Sequence, residues 1–430
     1  MNASSSDLAR FSFNNMEIET MNRRPYIFLF VLTVSLFSFS SPLIAGGVTN
    51  NQTFSAEYIR TFSRNAAINS SDAVAYNPAG VMRLEDGNYI NFFISHVLKD
   101  YSNTIAGTDY ESTIPSDVPG LIALHKKDNW AAFFAFTIPA GGGAVDFKDG
   151  NATTLSIGES LFAYGYNSID SQQIKANSFY YGYTLGGAYQ LNEKVSISLG
   201  ARYIDATKGA DGSVTVSISG TNPSTKVEKY TDTARGLGWI AGAHIKASDK
   251  MEVGLRYETA TPLKFKRAVE RDDLNMYTDG SEEIQDLPGL IGLGVSYQLS
   301  PDISLMGSLT QYREADANLE SSDFDGIGNG YEAALSIEKR FDRKLKGSIG
   351  YMHTETNLPA DKMSKENPPL SAETICGGLA YLYSPKTVLN FGISKSIYSR
   401  ETTSDTSSAY DPVELDKKVI TLALGVEHKF

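Results

Sequence analysis

From Asn88 to Phe430 the chain is written almost throughout in period two. Fourteen segments alternate apolar and polar side chains: 88–102, 117–126, 128–138, 178–190, 194–206, 232–247, 250–267, 286–299, 302–313, 329–341, 344–356, 372–383, 387–398 and 418–430. Such alternation puts successive side chains on opposite faces of a strand. In the last segment Ile420, Leu422, Leu424, Val426, His428 and Phe430 share one face, opposite Val419, Thr421, Ala423, Gly425, Glu427 and Lys429. Segment 194–206 sets Val195, Ile197, Leu199 and Tyr203 against Ser196, Ser198 and Arg202. The breaks alternate too. Short ones at 126–129, 191–194, 248–249, 300–301, 342–343 and 384–386 are separated by long polar ones at 139–177, 207–231, 268–285, 314–328, 357–371 and 399–417. Tight periplasmic turns and long extracellular loops produce this rhythm in outer-membrane barrels, and an even strand count leaves both ends in the periplasm. Closing the sheet also removes edges that lipid would not tolerate. The expected fold is therefore all-β: a transmembrane antiparallel β-barrel of about 14 strands over residues 88–430.

The start of the chain agrees with export. In 21–45, Arg23 and Arg24 precede an apolar run from Ile27 to Phe39 and a small-residue exit at Ala45, the layout of a signal peptide. Residues 1–20 read as a pre-signal extension. After Ala45 no apolar run is long enough for a spanning helix. The 24 Tyr, 21 Phe and 37 Gly suit a β protein. A net charge of -12 supplies no basic footprint for nucleic acid. One cysteine, Cys376, excludes an internal disulfide. The place these features describe is the outer membrane of a Gram-negative bacterium, among outer-membrane lipid. Phe430, an aromatic end to an amphipathic strand, is expected to be the barrel's C-terminal signal to the assembly machinery.

Residues 46–87 do not alternate. They carry Phe54, Tyr58, Ile59, Phe62, Ala66, Ala67, Ile68, Val74 and Tyr76 in short helix-like patches, too apolar to hang in water. A fourteen-stranded barrel has a lumen wider than its own side chains fill. An N-terminal plug, or hatch, folded inside that lumen would bury these residues. Within "SSDAVAYNPAGVMRLEDG" Pro78 lacks an N–H and forces the backbone to turn, and Gly80 allows close approach to a wall. The third segment, "NWAAFFAFTIPAGGG", runs into Pro139 and Gly141, Gly142 and Gly143, which either bend the strand or end it.

"DAVAYNPAGVMRL" (72–84) resembles the hatch of the FadL/TodX family, outer-membrane transporters of long-chain fatty acids and aromatic hydrocarbons. "RGLGWIAGAHIKASDKMEVGLRYETATPLKF" (235–265), "DLPGLIGLGVSYQLSPDISLMGSLTQY" (286–312) and "LSAETICGGLAYLYSPKTVLNFGISKS" (370–396) are similar to successive strand pairs of that family, in the same order. The resemblance implies a plugged barrel that captures a hydrophobic small-molecule ligand outside. Ligand would pass to an inner pocket and leave sideways at a kink in the third strand. It assigns the hatch motif to Asn77, Pro78, Ala79 and Gly80, and the kink to Pro139 and Gly141–Gly143. Two departures stand out. "AEYIRTFSRNA" (56–66) replaces a Gly-rich early hatch, and the breaks 207–231 and 268–285 are polar where the family has an apolar capture groove. The apolar loop residues lie instead at Leu161, Phe162, Tyr164 and Tyr166, the expected capture surface.

Other chemistries find no support. "GLGWIA" (236–241) lies within an alternating segment with no following helix, so it is not a dinucleotide site. The five histidines lack metal-ligand spacing, and no nucleophile elbow appears. The expectation is a channel and not an enzyme, with no cofactor and no metal, for passive uptake of fatty acids, aromatic hydrocarbons or related lipids. A diffusion porin for polar solutes and a non-transporting surface or adhesin barrel are the alternatives. The apolar hatch favours uptake of hydrophobic molecules.

Overall fold

The computed structural model describes residues 53–320, 324–403 and 412–430. The extension at 1–20, the signal at 21–45 and the start of 46–87 lie outside them. Fourteen strands build the wall: β1 (Gly87–Ile105), β2 (Ser116–Lys127), β3 (Trp130–Phe147), β4 (Ser168–Gln190), β5 (Val195–Ile218), β6 (Thr221–Ser248), β7 (Met251–Glu258), β8 (Gly289–Ser300), β9 (Ile303–Arg313), β10 (Tyr331–Arg340), β11 (Leu345–Glu355), β12 (Ala372–Ser384), β13 (Thr387–Tyr398) and β14 (Val413–Lys429). Each is antiparallel to the next. β1 pairs β14 from Tyr89↔Lys429 to Ile105↔Val413 and closes the barrel.

The faces are inverted relative to a protein in water. Phe92, Leu199, Trp239, Leu335, Ile349, Ile375 and Leu424 are large, apolar and exposed on the outside. Asn91, Ser95, Ser196, Thr374 and Asn390 point inward and are buried. The apolar face meets hydrocarbon, and the polar face must find partners in the lumen.

The hairpins at one end are short, as the spacing predicts, but at the other end the structure departs from the sequence reading. The polar stretch 207–231 is not a loop. β5 and β6 run 24 and 28 residues and meet at Ser219–Gly220, both with positive φ as a two-residue hairpin turn requires. Val214, Val216 and Ile218 alternate there with Ser and Thr, a strand pattern suited to water rather than lipid. β3 likewise continues beyond Pro139 to Phe147, and residues 264–272 and 282–284 form a further small hairpin.

Residues 53–86 fill the lumen. They contain short helices at Ala56–Ile59 and Ala73–Tyr76 and a 3-10 turn at Pro78–Arg83. Their polar groups bond wall strands around the circumference. Asn65 Nδ2 donates to Leu293 O, Leu309 O and Thr310 Oγ1, the Ser71 N–H and hydroxyl donate to Glu427, and Arg60 pairs with Glu338. The wall makes room with glycines. A Cβ on Gly254 would overlap the Asn65 carbonyl oxygen, one on Gly294 the Ala66 amide, and one on Gly378 the Arg60 side chain. Plug and wall are therefore shaped to each other atom by atom. Replacing Gly254 with Val should lower the thermal unfolding midpoint of the purified barrel and raise its leak conductance in planar bilayers. Gly307→Ala, where the new methyl meets its nearest neighbour at 3.3 Å, should leave both almost unchanged.

Candidate functional site

The Asn-Pro-Ala-Gly stretch is a clamp between plug and wall. Asn77 caps the 3-10 turn, its Oδ1 accepting from the Ala79 N–H at 3.3 Å. Its Nδ2 donates to Asn65 O at 2.9 Å and to Ala243 O of β6 at 3.1 Å. Pro78 occupies the first position of the turn, where a missing N–H costs nothing. Ala79 is fully buried, and its carbonyl accepts from Ser196 Oγ of β5 at 2.8 Å. Gly80 sits where a Cβ would overlap the Ala67 carbonyl oxygen. Beyond it, Arg83 donates to Glu193 O and Lys194 O in the turn between β4 and β5.

Above the plug lies a cavity of about 170 Å³, close to the ~150 Å³ that admits benzene in other proteins. Phe54, Tyr58, Ile59 and Phe62 of the plug form its floor, and Val97, Tyr101, Val118, Ile138 and Tyr398 much of its wall. Asn367, Pro369 and Leu370 close it from the loop between β11 and β12. That loop is tied down by Asn103 Nδ2 donating to Lys365 O, and by Asn151 Nδ2 and Thr153 Oγ1 donating to Glu366.

Two buried lysine amines line this space of mixed polarity, whose wall also carries Ser116, Thr354, Thr374, Ser396 and Thr421. Lys99 is 5% exposed and Lys417 9%. Lys417 Nζ donates to Asn367 Oδ1 (2.9 Å) and Pro368 O (3.0 Å) and lies over the rings of Tyr101 and Tyr398. Lys99 Nζ donates to Ser116 Oγ (2.8 Å), Gly142 O (3.0 Å) and Ala144 O (2.7 Å). Among the described residues neither amine forms an ion pair. The carboxylates on the cavity wall are engaged elsewhere, Glu332 with Tyr312 and Asp117 with His96. A buried charge held by neutral oxygens alone is poorly compensated.

The cavity wall is interrupted between β2 and β3. Their ladder has seven pairs, from Lys127↔Trp130 to Leu121↔Phe136, and stops. Ser116–Gly120 remain paired to β1 only. On its other side β3 pairs β4 through two bulges. Thr137↔Gly182 is followed by Ala140↔Tyr180 and then Gly143↔Ser178, so β3 spends three residues against two at each step. Gly141 and Gly143 take positive φ there, and the Pro139 ring packs over Gly182. Pro119 on β2 and Pro139 on β3, neither with an N–H to give, flank the end of the ladder. Ser116, Asp117, Val118, Ile138, Gly142 and Gly143 line the cavity, which therefore reaches the interruption. Pro119, Lys99 and Lys417 were not singled out in the sequence. A second proline facing Pro139 across a short hairpin was the available signal for the first; nothing local marked the lysines.

The loop residues expected to form an outer capture surface are mostly used internally. Leu161 is 4% exposed, packed on Val214 and Val216, and Tyr166 rests against the same cluster. Phe162 is half-buried, and Tyr164, at 81%, is the one that stands free of the four. A loop of this length needs a core of its own, and these side chains supply it. Phe430 lies at the end of β14, its N–H donating to Asn88 O and its ring edge-on to His428.

The geometry defines a plugged barrel with an inner cavity of mixed polar and apolar lining. The family model described as outer membrane protein transport protein (OMPP1/FadL/TodX) matches residues 36–430, and the chain belongs to that family. It is similar in fold to a Pseudomonas aeruginosa FadL homologue (TM-score 0.67, 12% identity, covering 90% of this chain and 99% of that one). It is likewise similar to the Pseudomonas putida toluene transporter TodX (0.62, 14%, 90% and 100%) and the Ralstonia pickettii toluene transporter TbuX (0.63, 12%, 89% and 99%). No curated protein matches significantly. The protein is thus a β-barrel of the Gram-negative outer membrane, in a family of transport channels.

The plug also carries one ill-matched charge. Glu57 is fully buried, and its Oε1 accepts from Asn91, Asn390 and Ser70, while Oε2 has no hydrogen-bond partner. Burial, with Asp72 and Glu427 nearby, pushes its carboxyl up to about 7. A raised carboxylate pKa penalises the fold once the group ionises, so the cost grows from about pH 4.5 to pH 7 and persists above. Glu57→Gln should raise the unfolding midpoint at pH 8, and the gain over wild type should vanish by pH 4.

Proposed function

We propose that the protein is a passive conduit for hydrophobic small molecules, and that ligand leaves the cavity sideways between β2 and β3 into the bilayer. The observation that carries this reading is the interrupted ladder beside the cavity, together with a plug seated too closely to be a swinging door. In this reading 21–45 exports the chain, 46–87 is the hatch, 88–430 the barrel, and Phe430 its assembly signal. Burial of apolar surface, roughly 0.8 kcal/mol per CH₂, is the only driving force required. TodX and TbuX are toluene transporters by description, and a ring of that size suits the cavity volume. Lys99 and Lys417 favour a ligand that also carries an anion, so amphipathic acids such as fatty acids are the preferred class.

The test is uptake by cells lacking their own hydrophobic transporter and expressing this protein. Labelled decanoate, a labelled alkylbenzene and a small sugar would be compared. Decanoate should enter fastest, and sugar not at all. Deleting one residue from each β3 bulge, which makes the β3/β4 register regular and removes the kink that carries β3 away from β2, should cut hydrophobic uptake at least tenfold at equal surface level. Asn77→Ala with Pro78→Ala should also lower it. Sugar flux without hydrophobic uptake would mean a porin, and no flux of any kind a surface-binding barrel.

A further inference from the structure

We propose that Lys99 is a latch across the β2/β3 interruption, released by the anionic head group of the ligand; this rests on the conduit reading above. Where a ladder stops between buried strands, the freed backbone groups must be satisfied by something else. Lys99 reaches from β1 and spends its donors on both sides of the break, one on Ser116 of β2 and two on the Gly142 and Ala144 carbonyls of β3. Further out, the Asp146 N–H donates to Ser112 Oγ and ties the same two regions. The site is built for this approach. A Cβ on Gly143 would overlap the Ser116 hydroxyl and lie 3.2 Å from Lys99 Nζ, and its φ of 71° suits glycine.

All three acceptors are neutral, and a carboxylate is a stronger acceptor than any of them. Lys99 and Lys417 both lie near the Tyr101 ring, at 5.6 and 4.6 Å from its centroid, so a head group seated beside that ring is drawn by two positive charges. Drawing Lys99 inward takes its protons from Gly142 O and Ala144 O and frees β3 from β2. The cavity holds a ring-sized group, and the chain of a longer acid gains further room on the lipid side as that edge yields. Recognition of the charge and opening of the wall become one event. A neutral hydrocarbon has nothing with which to release the latch, and Lys99 thereby sets specificity.

Backbone hydrogen–deuterium exchange on the purified protein in detergent tests this, with decanoate below its micellar concentration, with decanol, and with neither. Decanoate should speed exchange in peptides covering 112–120 and 138–147 at least fivefold, and decanol should not. Peptides from β9 and β10 should stay unchanged. Lys99→Met should exchange fast in those regions without ligand and ignore decanoate; Lys99→Arg should be slow and responsive. Ser116→Ala, which removes one acceptor and leaves the charge, should fall between. Wild-type exchange in Lys99→Met, or equal effects of decanoate and decanol, would overturn the latch. Normal decanoate uptake without any exchange response would sink the latch and spare the conduit. An exchange response without uptake would do the reverse.

Discussion

In hydrocarbon, every backbone N–H and C=O must find its partner within the protein, and the rest of this structure follows from that requirement. Fourteen strands meet it by closing on themselves through β1 and β14. One stretch does not. Above Leu121↔Phe136 the neighbouring strands separate, and the shortfall is met by prolines with nothing to donate and by a lysine with protons to spare. The place where the wall is weakest is thus chemically prepared, and it adjoins the cavity.

The lumen imposes the second condition. An inner wall of Asn, Ser, Thr and charged residues would be at ease in a water-filled pore, but here it is covered by the plug and each group must be matched. Most are: Arg60 with Glu338, Asn77 with Ala243, Ser71 with Glu427. Each neutral bond of this kind contributes only about 0.5–1.5 kcal/mol net and each charged one about 1.5–3, and it is their distribution over strands around the circumference that seats the plug. Glu57, with one carboxylate oxygen unpartnered, is among the groups left incompletely matched, as are Arg60 Nε, Ser63 Oγ and Asn390 Oδ1.

The wall was legible in the sequence because lipid on one side enforces strict alternation, and all six short turns fell where the spacing put them. The hatch motif was legible as a break in the chain, though its role as a clamp depends on Ala243 and Ser196, far away in sequence. The tall hairpin was misread as loop because its strands alternate Val with Thr and Ser, where polarity hides periodicity. Leu161 was misread as exposed because an apolar loop residue looks the same whether it meets solvent or Val216. Lys99 and Lys417 were invisible for a different reason. A lone lysine on the polar face of a barrel strand is ordinary, and what distinguishes these two is which acidic groups lie out of reach.

The uneven height of the barrel has a consequence for how the cell surface is encountered. A tilted strand crosses the bilayer in about 10 residues, so the remainder of β5 and β6 carries the Ser219–Gly220 turn roughly 30 Å above the lipid. That tip is polar, stiffened by a ladder running its full length, and remote from the cavity. A large molecule approaching from outside the cell meets that tip before it meets the mouth of the channel, so the long hairpin sets how near such a molecule can come to the cavity.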